Sequence, residues 1–177
     1  MKRFASALVA LTAIAVPMDA AAQNTDWNRY TLEKLGGVFI SAESNTACED
    51  VGVMATKVRA DAAIKLLESE VDVLTEDEML ANPGLPELKI TVECTIGERG
   101  DVEDNVAYAV SVRVNQATKM IRDEQVTLAE AVTWFTTAVG VSEPDDAQED
   151  LEEMLEMKLD EFAAAYVEAN ADDPGSR

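Results

Sequence analysis

Carboxylates are the most abundant groups in this chain that could do chemistry, and two predicted loops each hold a short run of them. Asp101, Glu103 and Asp104 fall in a predicted loop that also contains glycines. Hard oxygen ligands at alternating loop positions could hold Ca²⁺, although the ligand spacing of an EF-hand is absent. The alternative is a solvated polar turn, because Asp and Gly favour turns for conformational reasons alone. The run 76–78 allows the same two interpretations.

Two carboxyl groups could also hydrolyse a glycosidic bond if an apolar site raises the pKa of one of them. Glu93 and Glu130 are the acids that we associate with predicted strands, so they are the candidates for that role. Because the chain holds 35 Asp and Glu, however, acids come close together by chance. Histidine is absent, which excludes Ser-His-Asp and Cys-His catalysis and zinc sites that need imidazole. Phosphate-loop, dinucleotide-binding and Gly-x-Ser-x-Gly motifs are also absent, and no cofactor is expected.

The first 22 residues have the organisation of a secretory signal peptide. Lys2 and Arg3 precede an apolar run, and three alanines precede a predicted cleavage site before Gln23. The run is shorter than the roughly 20 apolar residues of a membrane-spanning helix, although a retained anchor is the alternative to cleavage. The sequence therefore predicts a periplasmic or secreted protein.

Cys48 and Cys94 are the two cysteines of the chain. Their spacing is neither that of a metal site nor that of a Cys-x-x-Cys redox motif. In an exported protein an even pair predicts a disulfide, with two free thiols as the alternative.

The formal net charge of −21 restricts the classes of partner. A polyanion repels nucleic acid and anionic lipid head groups, so we expect neither, and no later segment is long and apolar enough to insert in a membrane. A basic protein would be a suitable partner. The alternative is that the acidity serves only solubility or a salty habitat.

Hydrophobic periodicity predicts the order strand, helix, three strands, helix. The predicted strands are residues 35–42, 88–96, 106–115 and 131–139. The first helix should begin at Thr46 or after Gly52 and end near Ser69, and Ser142 is a candidate N-cap for the last helix.

This order predicts an α+β fold, a two-layer sandwich with about four mostly antiparallel strands and two helices on one face. We expect a single domain over 23–171 and a flexible tail over 172–177. A right-handed crossover would place the first two strands side by side and parallel. Cys48 and Cys94 would then lie at the same edge of the sheet, close enough to pair.

The uncovered face of this sheet is the candidate binding surface. Lys89, Arg113 and Asn115 lie on the polar side of the predicted strands. Trp134 and Phe135 point in opposite directions, so one of them should join that face, and Trp134 is our candidate. An exposed aromatic residue among polar ones is typical of an interaction surface. An unpaired edge strand offers a second mode of binding, by strand addition.

The chain resembles short secreted bacterial proteins that have no assigned activity. The segments that carry the resemblance are 64–80, 88–96, 108–116, Thr133-Trp134 and Phe162-x-x-x-Tyr166-x-x-x-Asn170. The layout is also similar to that of the lipopolysaccharide-assembly lipoprotein of the outer membrane and the amino-terminal domain of the Tol translocation protein. The chain lacks the lipid-anchoring Cys of the former and the propeller of the latter, so the likeness concerns fold only.

The resemblance implies an assembly or interaction module. The sequence thus favours a non-catalytic binding module with an envelope protein as partner. A carboxylate-dependent envelope hydrolase and an acidic inhibitor or cation-binding protein with a basic target are the alternatives.

Overall fold

A four-stranded mixed sheet forms the centre of the protein. The computed structural model describes residues 26–97 and 105–171. The strands, in their spatial order, are β1 (Phe39–Ser44), β2 (Glu87–Ile96), β3 (Val106–Met120) and β4 (Asp123–Ser142). β1 runs parallel to β2, and the other neighbours are antiparallel. The α+β prediction, including the parallel first pair, is confirmed.

Two long helices cover one face of the sheet, one short helix precedes β1, and two short helices lie between β1 and β2. The helices are α1 (Asp26–Arg29), α2 (Thr46–Asp50), α3 (Ala55–Glu68), α4 (Glu76–Ala81) and α5 (Ala147–Asn170), with a 3₁₀ turn at Tyr30–Leu32. The buried residues of α3 are Val58, Ala62 and Leu66, which recur at helical spacing and face the sheet. No helix in the described part of the chain is long and apolar enough to cross a membrane.

The core lies between the sheet and these helices. Every second residue of β2 from Leu88 to Cys94 is buried, as the alternation of the sequence predicts. Trp134 and Phe162 are the largest of the fully buried side chains. Their rings meet edge to face with centroids 5.3 Å apart, so the sheet and α5 are joined by an aromatic contact.

The predicted disulfide joins Cys48 to Cys94 and fixes the crossover between β1 and β2. Asn45 supports the same junction, since its Oδ1 accepts from the backbone N–H groups of Cys48 and Cys94, each at 3.1 Å. Its Nδ2 donates to the carbonyl of Cys94 at 2.9 Å. The side chain of Asn45 therefore satisfies backbone groups of β2 beyond the last paired residue of β1.

Two predicted caps were wrong. Asn45, not Thr46, caps the short helix α2. The long helix α3 begins at Ala55, which confirms the alternative of a start after Gly52, and it ends next to Ser69 as predicted. Ser142 is not an N-cap, because it still belongs to β4 and its hydroxyl donates to the carboxylate of Asp150. The helix α5 begins five residues later, at Ala147.

The fourth strand is about twice as long as predicted. The ends of β3 and β4 run past the rest of the sheet as a two-stranded ribbon. Residues 121–130 are all exposed, and Ile121 at the turn is fully exposed. The predicted signal peptide and the predicted tail from 172 lie outside the described residues.

Candidate binding surface

The face of the sheet opposite α3 and α5 carries two of the predicted site residues side by side. Lys89 of β2 pairs with Arg113 of β3, which in turn pairs with Phe135 of β4. Lys89 forms an ion pair with Glu43, with Nζ and the carboxylate 2.7 Å apart. We call this uncovered side the open face.

Arg113 has no ion pair with any residue that the structure describes. One of its terminal nitrogens donates to the hydroxyl of Thr91 at 3.2 Å, and its Nε is buried without a hydrogen-bond partner among those residues. A guanidinium group that is partly removed from water destabilises the fold when its N–H donors have no partner. The terminal nitrogens of Arg113, which form no ion pair with the described residues, are the donors that an external carboxylate or carbonyl group could use.

Asn115 also lies on the open face but has a structural role. It is 6% exposed, and its Nδ2 donates to the carboxylate of Glu87 at 2.9 Å. The other oxygen of Glu87 accepts from Ser41 at 2.6 Å. Asn115 thus ties β3 to β2 and, through Glu87, to β1.

The prediction that Trp134 belongs to the binding face was wrong. Trp134 pairs with Val114 on the helix-facing side and is completely buried against Phe162. Phe135, which is half-buried, occupies the open face in its place. The reason is the register of β4, in which Trp134 and not Phe135 lies opposite a core valine.

The candidate acidic sites have ordinary explanations or lie outside the described residues. Asp101, Glu103 and Asp104 belong to the undescribed segment 98–104. The run 76–78 forms the first turn of α4, where Thr75 and Glu78 make a capping box. Hydrogen bonds from the backbone and hydroxyl of Thr75 lower the pKa of Glu78.

Glu93 and Glu130 are both exposed, so neither has the apolar surroundings that the hydrolase hypothesis requires. Among the described residues, no group of three or more His, Cys, Asp or Glu is arranged to hold a metal ion.

An apolar patch on the open face was not predicted. Val139 pairs with Ala109, and Val141 pairs with Ala107. Val139 and Val141 are 80% and 66% exposed, because the small alanines beside them provide no cover. We call these four residues the valine patch. Together with Glu93 and Thr95 of β2, they border a shallow depression.

The two valines of the valine patch lie in a stretch of the edge strand β4 that carries no charge. Ala131–Ser142 contains no Asp, Glu, Lys or Arg over twelve residues, in a chain that is 28% charged. β4 is the last strand of the sheet, and no other strand of the described residues pairs with its outer side. The length of this uncharged run was the sequence feature that could have identified the surface.

No protein-family model matches the chain, and no curated protein matches it. Among solved structures, the chain is similar to a minor lipoprotein from Acinetobacter baumannii. The two share 13% identity with a TM-score of 0.27, over 74% of this chain and 91% of the other. A likeness at this level does not indicate a function.

Proposed function

We propose that this protein is a non-catalytic binding module of the bacterial envelope that holds a protein partner along β4. The observation that carries the proposal is the uncharged outer edge of β4 over Ala131–Ser142, next to the exposed valine patch. The partner supplies an extended segment that pairs with this edge, and its side chains cover the valines.

The backbone of an edge strand supports this mode of binding. The carbonyl of Thr133 accepts from the hydroxyl of Thr31. From Phe135 to Ser142, the N–H and C=O groups of β4 that point away from β3 pair with no other strand of the described residues, and such a row of donors and acceptors is a template for another strand. Soluble proteins usually protect such edges with charges, prolines or short length. β4 has none of these over Ala131–Ser142, whereas the opposite edge strand, β1, has only six residues.

The valine patch and Arg113 would give the interaction its specificity. A strand added to β4 places alternate side chains on the open face, next to Val139 and Val141. An acidic or carbonyl group of the partner that reaches across β4 meets the terminal nitrogens of Arg113, one of which donates to Thr91.

The envelope location rests on two features. The predicted signal peptide directs export, and the Cys48–Cys94 disulfide is of a kind that persists in oxidising compartments.

Site-specific photocrosslinking in living cells tests the proposal. A photoreactive amino acid replaces Thr137, an exposed residue of β4 on the open face. We expect a covalent adduct with one envelope protein, identified by mass spectrometry. Val139→Lys should abolish this adduct, because it places a charge in the valine patch.

Val167→Lys is the matched control, since Val167 is an exposed valine on α5. It should leave the adduct intact. An adduct that survives Val139→Lys, or an adduct only with a second copy of the chain, would contradict the proposal.

A further inference from the structure

A groove of 780 Å³ separates the two long helices on the side of the protein opposite the open face. Its deepest residues include Val58 of α3 and Leu151 and Leu155 of α5, all buried and apolar. Met54 and Ile64 stand at its border with 55% and 57% of their surface exposed. The floor of this apolar strip is therefore closed by the packing of the two helices, and Met54 and Ile64 are its exposed part.

The walls of this groove are strongly acidic. Among the described residues, seven carboxylates and two lysines line it. Four of these carboxylates take part in no ion pair within the described residues: Glu68, Asp145, Glu149 and Glu153. The groove thus has a net negative charge, with acids on both helices.

Two lysines show that the walls can hold ammonium groups. Lys57 contacts Asp61 at 2.7 Å and Glu152 at 3.2 Å. Lys65 contacts Asp160 at 2.8 Å and Glu156 at 3.0 Å. Each lysine links α3 to α5. The hydrogen bond that Lys57 donates to Asp61 raises the pKa of Lys57, and the one that Lys65 donates to Asp160 raises the pKa of Lys65.

We propose that the α3–α5 groove binds a basic amphipathic helix of a protein or peptide partner. Apolar side chains of that helix cover Met54 and Ile64, and its lysines or arginines pair with the free carboxylates of the walls. A ligand with basic groups alone would leave the exposed apolar side chains in water, and a purely apolar ligand would bury the carboxylates without partners. A basic amphipathic helix satisfies both parts of the groove. The ion pairs of Lys57 and Lys65 join α3 to α5, so the bound helix lies over these ion pairs and not between the two helices.

This site does not depend on the function proposed for β4. The groove lies on the helical layer, and the valine patch lies on the open face. A variant of one surface should therefore leave the other unchanged.

Peptide binding to the purified protein tests the proposal. The probe is a synthetic helical peptide with lysines on one face and leucines on the other, and binding is measured by fluorescence anisotropy. The first control has the same composition in an order that spreads leucines around the helix. We expect the amphipathic peptide to bind at least about tenfold more tightly than this control, which corresponds to about 1.4 kcal/mol.

A matched pair of substitutions on one helix locates the site. Ile64→Ser removes an apolar residue of the groove, whereas Leu67→Ser removes an equally exposed residue of α3 that does not line it. Ile64→Ser should weaken binding about fivefold, as expected for a contact worth roughly 1 kcal/mol, and Leu67→Ser should change it less than about twofold. Val139→Lys should have no effect.

Charge is tested in the same way. The double variant Glu149→Gln/Glu153→Gln should weaken binding more than Glu124→Gln/Glu130→Gln, which removes the same charge from the β3–β4 ribbon. Equal binding of the amphipathic and the reordered peptides, or equal effects within either matched pair, would overturn the proposal in favour of diffuse attraction to a polyanion.

Discussion

Reduction of the Cys48–Cys94 disulfide should remove a large part of the stability of this protein. The bond closes a segment of 46 residues that contains α3, α4 and most of β2. For a loop of this length, the lost chain entropy of the unfolded state corresponds to about 4 kcal/mol near room temperature. A typical domain is stable by only about 5–15 kcal/mol, so the reduced protein should be marginal.

Urea unfolding with and without a reductant measures the effect. With a slope of about 2 kcal/mol per molar urea, the midpoint should fall by about 2 M, and the slope should rise because the reduced unfolded chain is less compact. Cys48→Ala/Cys94→Ala should behave like the reduced protein, apart from the loss of packing around two buried sulfur atoms.

A loss below about 1 kcal/mol on reduction would refute this reasoning. It would mean that Asn45, which bonds to both Cys48 and Cys94, holds the junction without the covalent bond.

Two further predictions concern the tyrosines of the core. A Cβ on Gly140 would lie 2.4 Å from the ring of Tyr108, so Gly140→Ala should destabilise the protein by about 2 kcal/mol in urea unfolding. Gly97→Ala, whose new Cβ meets no atom closer than 3.7 Å, is the control, and an equal effect of the two would contradict the argument. Burial raises the pKa of Tyr108 and of Tyr166, so ultraviolet titration should show both phenols ionising at higher pH in the native protein than in urea. Because the pKa of each phenol is higher in the folded state, its contribution to the free energy of unfolding is complete below the ordinary pKa of about 10 and is lost as the pH rises through the raised values. Coincident titration curves of the native protein and of the protein in urea would refute this argument.

The central part of the fold was predictable because burial leaves a periodic pattern. β2 and the first ten residues of β3 alternate in the sequence, since one side of each strand packs on helices and the other does not. The crossover rule then placed β1 beside β2 and brought the two cysteines together.

The length of β4, the burial of Trp134 and the valine patch depend on strand register and on exposure, which the hydrophobic pattern of the sequence does not determine. Residues 123–130 of β4 are exposed throughout, so no alternation distinguishes them from a loop. Trp134 and Phe135 are adjacent large aromatics, and only the pairing with Val114 and Arg113 decides which of them is buried. The alternation of the sequence placed Lys89, Arg113 and Asn115 on the open face, as the pairing of β2 with β3 shows. The valine patch, in contrast, requires knowledge of its alanine neighbours across the strands.

Because the outer edge of β4 is uncharged over Ala131–Ser142, the resistance of the protein to aggregation depends on the charge of the rest of the molecule. At neutral pH, a formal charge of −21 keeps copies apart by long-range repulsion, although the edge itself contributes nothing to it. Acidification towards the isoelectric point, near 4.1, removes that repulsion while the strand keeps its unpaired backbone groups. We therefore expect copies of the protein to associate through this edge near the isoelectric point, and we expect the negative charge of the surface to prevent that association at neutral pH.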